Sequence, residues 1–248
     1  MLTGASGSPL RVGWKGFQYS FVYNVQVPDA EEFYGRSCVH TIEHRLSQFY
    51  WTGLPRGPIP STKVYVTADE QRAVAQKLDA LRISGDRRYA VLQPGARLEG
   101  MRWPVVNFAA VAKWLAETHG IASVVNCGAQ DEGVAREVRD AMRDDAVIPE
   151  PLSIRELSAL ISGAALFVGN DSGPAHIAAA LQRPTVVIFS LTDPNQWKPL
   201  HATGQVVATG AEFEHPRGDK AVLLRQSRAM TSISLEEVCK ACEEVLDR

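Results

Sequence analysis

The stretch LFVGNDSGPAHIAAA, residues 166–180, decides the fold. The residues up to Val168 form a short apolar run of the kind that a fully buried parallel strand shows. The small and polar residues that follow are typical of a turn. Pro174 is favoured at the first position of a helix, because its missing N–H would have no partner there. The stretch therefore predicts a strand, a turn, and a helix capped by Ser172 or Gly173.

This junction is suited to binding an anion. The first N–H groups of a helix, here those of Ala175 and His176, lack intrahelical partners and attract phosphate. A turn built only for packing is the alternative interpretation. A second apolar run that ends in a polar loop, PTVVIFSLTDP at residues 184–194, favours the functional one. Two strands then present polar groups at one sheet edge, which is where open α/β sheets bind ligands.

Strands and helices alternate from residue 88 onward. Apolar runs predict strands at 89–92, 121–127, 147–148, 185–190 and 205–208, and helical periodicity predicts helices at 105–118 and 132–142. Capping-box patterns at Thr67–Glu70, Ser153–Glu156 and Ser234–Glu237 mark three further helix starts. Because crossovers between parallel strands are right-handed, this alternation predicts an α/β fold: a parallel sheet with helices on both faces.

The N-terminal part of the sequence has a different composition. It contains ten of the nineteen aromatic residues within its first 51 residues, more than so short a piece can bury by itself. We therefore expect the second domain or another chain to cover them. The patterns predict a strand at 11–14, extended structure over 17–27 and a helix over 40–51. We place the domain boundary after the helix that starts at Ala68, which gives domains 1–84 and 85–248.

Composition argues against several classes of protein. A formal net charge of −2 gives no broad cationic field, so nucleic acid is an unfavoured partner. No apolar run has transmembrane length and the first residues lack a signal pattern, so we expect a cytoplasmic protein with at most peripheral contact with the inner membrane. The four cysteines are too few and too scattered for a disulfide scaffold. No G-x-G-x-x-G follows a strand, and we expect neither a metal nor a cofactor.

A family resemblance rests on motifs in a fixed order. GNDSGPAHIAAAL at 169–181, followed by PTVVIFSLTDP, resembles the C-terminal half of family 9 glycosyltransferases, the heptosyltransferases that build the lipopolysaccharide core. QPGA at 93–96 and RWP at 102–104 fall where that family carries its Pro-Gly-Ala and Lys-x-Trp-Pro motifs. The resemblance covers residues 89–209 well. It implies the GT-B architecture of two facing Rossmann-like domains.

The family's first motifs, a strand and a Gly-Asp loop, have no counterpart in this sequence. We therefore interpret residues 1–84 as the remnant of a truncated N-terminal, acceptor-side domain together with a linker helix. The resemblance implies that residues 85–248 are the C-terminal, Rossmann-type nucleotide-sugar-binding domain with a terminal helix. On this interpretation the chain is a fragment, a late-start reading frame or a truncated relative.

The resemblance also implies a nucleotide-sugar site. Gly95 lets the backbone approach the diphosphate, and Arg102 supplies a guanidinium beside Met101, which replaces the family's lysine. Glu132, or Asp131 beside it, binds the ribose hydroxyls. The remaining predicted site residues follow the two C-terminal strands: Asn170, Asp171, Ser172, Gly173, His176 and Thr192.

Roles follow for three of these positions. The charge of Asp171 would repel phosphate, so we expect its carboxylate to accept hydrogen bonds from sugar hydroxyls. Ser172 and Gly173 are expected to hold the diphosphate with the helix N–H groups, and His176 to donate to it. A plain turn role for Thr192 is nearly as plausible as a binding role.

The implied activity is an inverting, metal-independent transfer of heptose, from a nucleoside-diphosphate donor such as ADP-heptose to a lipopolysaccharide core or another glycan. The family's catalytic base is an Asp in the loop without a counterpart, so no catalytic residue is named. The alternative is a non-catalytic nucleotide-sugar binder, or a homo-oligomer or partner-completed subunit in which another chain covers the aromatic N-terminal segment. An epimerase or hydrolase of similar architecture is less favoured.

Overall fold

A computed structural model describes residues 2–83, 85, 87–128, 132–142, 146–190, 192–200, 204–208 and 230–247, except for the side chains of Leu2 and Glu132. The chain divides into two compact units. The first comprises residues 1–60 with Asn195–Trp197, and the second comprises residues 61–194 and 198–248.

The first unit is built from short elements. They are helix α1 (Leu2–Ala5), strand β1 (Val12–Trp14), a 3₁₀ turn (Ser20–Val22), strand β2 (Val25–Val27), and helices α2 (Ala30–Tyr34) and α3 (Thr41–Trp51). Strands β1 and β2 pair in parallel, with Val12 opposite Val25. The extended structure predicted over residues 17–27 forms only at its end, because a turn in which the Ser20 N–H donates to Phe17 O at 2.9 Å precedes β2.

Helix α3 begins where the sequence predicts. Its N-cap is His40, whose Nδ1 accepts from the Ile42 N–H at 3.2 Å. The Glu43 carboxylate accepts from the His40 N–H at 3.2 Å, which completes a capping box with histidine in the place of the usual hydroxyl residue.

The second unit alternates helices and strands. Its elements are α4 (Ala68–Ala80), β3 (Tyr89–Gln93), a 3₁₀ turn (Glu99–Met101), α5 (Val105–His119), β4 (Ala122–Val125), α6 (Glu132–Met142), β5 (Ala146–Val147), α7 (Ile154–Ser162), β6 (Leu166–Asn170), α8 (Gly173–Ala180), β7 (Thr185–Phe189), α9 (Pro194–Trp197, grouped mainly with the first unit), β8 (Gly204–Ala208) and α10 (Leu235–Leu246). All three predicted capping boxes are present, at Thr67, Ser153 and Ser234.

The sheet of the second unit is parallel, as predicted. Its described strands lie in the order β5-β4-β3-β6-β7-β8. The order of the strands in the sequence reverses at the β3–β6 pair, where Gln93 lies opposite Gly169. Such a switch point leaves a crevice outside the carboxyl ends of the strands.

Apolar side chains cover both faces of this sheet, because successive strand residues point to opposite sides. Ala90 and Leu92 of β3 pack in a cluster with residues of α5, α6 and α10. Val91, between them, packs in the opposite cluster with residues of α4, α7 and α8. The sheet is therefore the middle layer of three.

Helix α4 belongs to this second unit, whereas the predicted boundary at 84–85 grouped it with the first domain. Its Val74 and Leu78 are buried in the same cluster as Leu157 of α7. Two ion pairs also join the helices, one from the first turn of α4 and one from its last turn. Arg155 Nε donates to Glu70 at 2.5 Å, and Lys77 Nζ donates to Glu156 at 2.6 Å.

Within the described ranges, no helix is both long enough and apolar enough to cross a bilayer.

Candidate functional site

A cleft of about 590 Å³ opens at the carboxyl end of the sheet, beside the β3–β6 switch point. The loops after β3, β4 and β6 and the start of α7 provide its walls. Its described lining consists of Gln93, Gly95, Ala96, Arg97, Arg102, Asn126, Gly128, Leu152, Ile154, Leu157, Ser172 and Pro174. Three of the predicted site residues, Gly95, Arg102 and Ser172, therefore lie in one cleft.

The loop after β3 is held in place by Asn170. The Asn170 Nδ2 donates to Pro94 O at 2.7 Å, and its Oδ1 accepts from the Trp103 N–H at 3.0 Å. The side chain is fully buried and both ends of its amide are used. The sequence assigned Asn170 to ligand contact, but it offers no surface to a ligand here. It shapes the loop that lines the cleft.

Two arginines lie near Gly95. Arg102 Nε donates to Ala96 O at 3.0 Å, which fixes the guanidinium of this partly buried side chain against the loop. Arg97 is exposed and lines the same cleft. Two positive charges beside a glycine backbone favour an anion at this end of the cleft.

The turn into α8 has the predicted form but a different hydrogen-bond pattern. Ser172 is the N-cap, yet its hydroxyl donates to Asn170 O at 3.1 Å instead of capping the helix. The Ala175 N–H, expected to be open to a ligand, donates to Ser172 O at 3.1 Å because the first turn is tight. Ser172 and Pro174 line the cleft, and the exposed Gly173 adjoins them.

Asp171 and Thr192 meet at the ends of β6 and β7. The Thr192 hydroxyl donates to the Asp171 carboxylate. Burial raises the pKa of Asp171 above its ordinary value, while the Thr192 hydrogen bond and the charge of His176 act in the opposite direction. His176 itself is exposed on the first turn of α8. These three predicted residues form a group on the β7 side of β6, separate from the described cleft lining.

The predicted ribose contact begins helix α6. Glu132 is the first residue of that helix, but its side chain and the whole of Asp131 lie outside the described residues. Gly128 lines both the main cleft and a neighbouring one of about 550 Å³.

A family match decides what kind of chain this is. The model of glycosyltransferase family 9 (heptosyltransferase) matches residues 1–223. The chain belongs to glycosyltransferase family 9. Lipopolysaccharide heptosyltransferase 3 of Escherichia coli K12 is 29% identical over 211 residues, which are 84% of this chain and 60% of that protein. Lipooligosaccharide heptosyltransferase 2 of Haemophilus influenzae is 29% identical over 199 residues, 76% of this chain and 57% of that protein.

Solved structures agree with the fold. The E. coli ADP-heptose lps heptosyltransferase II has a TM-score of 0.75 at 23% identity, and the match covers 97% of this chain and 71% of that one. A family 9 glycosyltransferase of Veillonella parvula has a TM-score of 0.82 at 19% identity, covering 96% and 67%. The predicted α/β, GT-B-like fold class is confirmed. The chain nevertheless spans only about 60% of the length of the first sequence relatives.

The cleft of this family 9 chain contains residues that the sequence analysis did not assign. Gln93 and Asn126 form a buried amide pair at its floor, with Asn126 Nδ2 donating to Gln93 Oε1 at 2.6 Å. Leu152, Ile154 and Leu157 form an apolar wall. A polar residue at the end of an apolar strand was the available signal for the amides. No such signal marked the apolar wall, because leucine and isoleucine are residue types that any hydrophobic core contains.

Proposed function

We propose that this chain binds a nucleoside-diphosphate sugar such as ADP-heptose in the cleft, as the donor for an inverting transfer of heptose to a lipopolysaccharide core or another glycan. The observation that carries the proposal is the convergence of Gly95, Arg97, Arg102 and the N-terminal turn of α8 on one cleft. Family membership supplies the reaction class.

The diphosphate would lie at the arginine end of the cleft. Guanidinium groups form short, charge-assisted hydrogen bonds with phosphate oxygens. The Arg102 guanidinium is held by Ala96 O, so little side-chain entropy is lost when it binds. Gly95 has no side chain to obstruct the approach of the diphosphate to the loop backbone.

The nucleoside and sugar would occupy the rest of the cleft. The apolar wall of Leu152, Ile154 and Leu157 offers a surface for the flat face of a nucleobase. Asp171, which accepts from Thr192 beside this lining, is suited to accept from sugar hydroxyls that extend beyond the lining, because a carboxylate has several lone pairs.

Transfer requires two further contributions. The departing nucleoside diphosphate carries developing negative charge, which Arg97 and Arg102 would stabilise. A general base must also take the proton of the acceptor hydroxyl. Arginines are the only ionisable side chains in the described lining, so none of the described lining residues is suited to act as this base. We therefore expect donor binding by this chain, and little or no transfer by it alone.

Calorimetric titration of the purified chain with ADP-heptose tests the donor site. We expect saturable binding below millimolar concentration and a loss of roughly tenfold in affinity for Arg102→Ala, the size expected for one charge-assisted contact. Arg183→Ala is the matched control, because Arg183 precedes β7 at the opposite edge of the sheet and bonds Leu181 O. Absence of binding at millimolar ADP-heptose would overturn the proposal.

A turnover assay with a core-lipid acceptor tests the reaction. We expect ADP release to stay at background with this chain, and to appear only when an acceptor-side polypeptide with a general base is supplied. Full activity of the chain alone would show that the base lies within it and contradict this part of the proposal.

A lipid-linked acceptor would place this activity at the cytoplasmic face of the inner membrane. We propose peripheral contact there, which cosedimentation with vesicles that contain the core lipid would test. Equal sedimentation with vesicles that lack this lipid would contradict recognition of the acceptor.

A further inference from the structure

The floor of the cleft contains two amide side chains from neighbouring strands. Gln93 is the last residue of β3, and Asn126 directly follows β4. They are only 5% and 6% exposed, and both line the cleft. The Asn126 Nδ2 donates to Gln93 Oε1 at 2.6 Å.

This single hydrogen bond uses the NH₂ group of Asn126 and the carbonyl oxygen of Gln93. Among the described residues, no partner is found for Gln93 Nε2 or for Asn126 Oδ1. Both atoms are open to solvent. In the described ranges, the side-chain polar atoms that are fully enclosed and have no partner belong to other residues, Trp14, His119 and Ser123. An amide bonded to an amide presents one NH₂ donor and one carbonyl acceptor to the cleft, whichever way round the two are.

The neighbouring strand makes room for the pair. Gly169 of β6 lies opposite Gln93, and a Cβ at Gly169 would lie 2.8 Å from Gln93 Cβ. Amides with unused hydrogen-bonding capacity are costly at a position that is so nearly buried, and an apolar pair would pack there at a lower cost. The two amides therefore suit a ligand better than they suit a core.

We propose that Gln93 and Asn126 together bind a hydroxyl group of the donor, with the hydroxyl oxygen accepting from one amide and its proton donated to the other. This inference rests on the proposed nucleoside-diphosphate sugar. A phosphate oxygen only accepts and would leave the carbonyl unsatisfied, whereas a hydroxyl satisfies both amides. The hydroxyl belongs either to the ribose of the nucleotide or to the transferred sugar.

The test compares ligands that differ by one hydroxyl. Calorimetry measures the affinity of the full chain for ADP-heptose, ADP, 2′-deoxy-ADP, 3′-deoxy-ADP and inorganic pyrophosphate. The variants are Asn126→Leu and Gln93→Met, which keep the approximate volume and remove the polar atoms. Ser123→Ala is the matched control, because it removes a buried, unpaired hydroxyl from β4 at a position outside the described lining.

A ribose hydroxyl predicts that both variants lose about tenfold in affinity for ADP and lose nothing for the deoxy-ADP that lacks this hydroxyl. A sugar hydroxyl predicts unchanged ADP affinity and a loss of about tenfold for ADP-heptose. In both cases pyrophosphate binding stays at the wild-type value, and Ser123→Ala binds every ligand as the wild type does.

Other results overturn the inference. Variants that bind ADP and ADP-heptose with wild-type affinity would show that the amides contact no hydroxyl. An equal loss for every ligand, pyrophosphate included, would show that the pair only holds β3 and β4 together. Should one variant fail to fold, the other still decides between these results. A wild-type chain that binds none of the ligands would refute the proposed function itself, a failure distinct from either of these.

Discussion

The two units of this chain are packed very differently. In the described part of the first unit, the buried apolar residues are Val27, Ala30 and Val39. The second unit has two large apolar clusters, one on each face of its sheet. The first unit instead exposes many of its large apolar side chains: Leu10, Phe17, Tyr19, Phe21, Phe49, Trp51 and Leu54.

The sheets explain the difference. Strands β1 and β2 are each three residues long and pair in parallel, and parallel strands are normally buried on both faces within a larger sheet. Two strands do not form an independently stable sheet. Arginines cover two of the partly buried aromatic rings, with Arg56 Cζ 4.2 Å from the Phe33 ring centroid and Arg45 Cζ 4.9 Å from that of Trp14. The proposed donor site belongs to the unit that has its own core.

The largest expected effect comes from producing the two units separately and comparing how each one unfolds. We expect residues 61–248 to unfold cooperatively in urea and to keep affinity for ADP-heptose, because both clusters lie within them. We expect residues 1–60 to show no cooperative transition by circular dichroism. A cooperative transition of the isolated 1–60 segment would contradict the comparison.

Truncating one phenylalanine in each unit gives the next largest effect. Phe108 of α5 is fully buried against Trp103, with ring centroids 5.2 Å apart, whereas Phe21 is 76% exposed. We expect Phe108→Ala to lower the free energy of unfolding by about 3–5 kcal/mol. We expect Phe21→Ala to change it by less than about 0.5 kcal/mol. Urea denaturation measures both variants, and equal losses would refute the difference in packing.

Most of the fold of the second unit was predictable, because the hydrophobic periodicity there agrees with the residues that begin and end helices and strands. Apolar runs gave the strands to within a few residues, and the capping boxes at Thr67, Ser153 and Ser234 gave three helix starts. The extended structure predicted for residues 17–27 was mostly wrong. Its alternating aromatics resemble a strand, but they contact one another within a turn, as Phe17 and Tyr19 do edge to face with ring centroids 5.9 Å apart.

The position of the candidate site could be predicted from the sequence, but its hydrogen bonds could not. The turn at Ser172 and the Gly95 loop could be located from their sequence motifs. The burial of Asn170 could not, because its partners, Pro94 O and the Trp103 N–H, are far away in the sequence. The contact between Gln93 and Asn126 depends on how β3 and β4 are aligned in the sheet. No local sequence pattern indicates this alignment. Family resemblance likewise names residues that contact ligands, but not those that support them.

Within the second unit, Asp171→Asn separates the contribution of a side chain to stability from its contribution to ligand binding. Because burial raises the Asp171 pKa, folding favours the neutral form of this side chain, and the charged form lowers stability at pH 7. We expect Asp171→Asn to raise the melting temperature by a few degrees and to weaken ADP-heptose binding severalfold. Calorimetry at pH 7 measures both effects.

The pH dependence of this variant checks the cause. Below the ordinary Asp value of 3.8, the Asp171 side chain is neutral in both the folded and unfolded states, so wild type and variant should have equal stability. The advantage of the variant should grow as the pH rises through the raised pKa of Asp171 and then level off. Asp193→Asn is the control. A variant less stable than the wild type at pH 7 would show that the charge of Asp171 is compensated.

The smallest expected effect concerns helix α4, which belongs to the second unit although the sequence grouped it with the first. Lys77 of α4 bonds Glu156 of α7 and, together with Ser153, lowers the pKa of Glu156 to about 2. A depressed carboxylate pKa stabilises the fold above the ordinary value of 4.5, and this stabilisation is lost between about pH 4.5 and 2.

Lys77→Met should therefore lower the melting temperature by about 1–2 °C at pH 7, because the pair is partly exposed to solvent, and by almost nothing near pH 2. Lys113→Met is the matched control, since Lys113 Nζ lies 3.9 Å from Glu117 within a single helix. A Lys77→Met loss no larger than that of the control would mean that apolar contacts alone, such as those of Val74 and Leu78, attach α4 to the second unit. A larger loss that disappears in acid would show that the ion pair between α4 and α7 contributes to holding the two helices together.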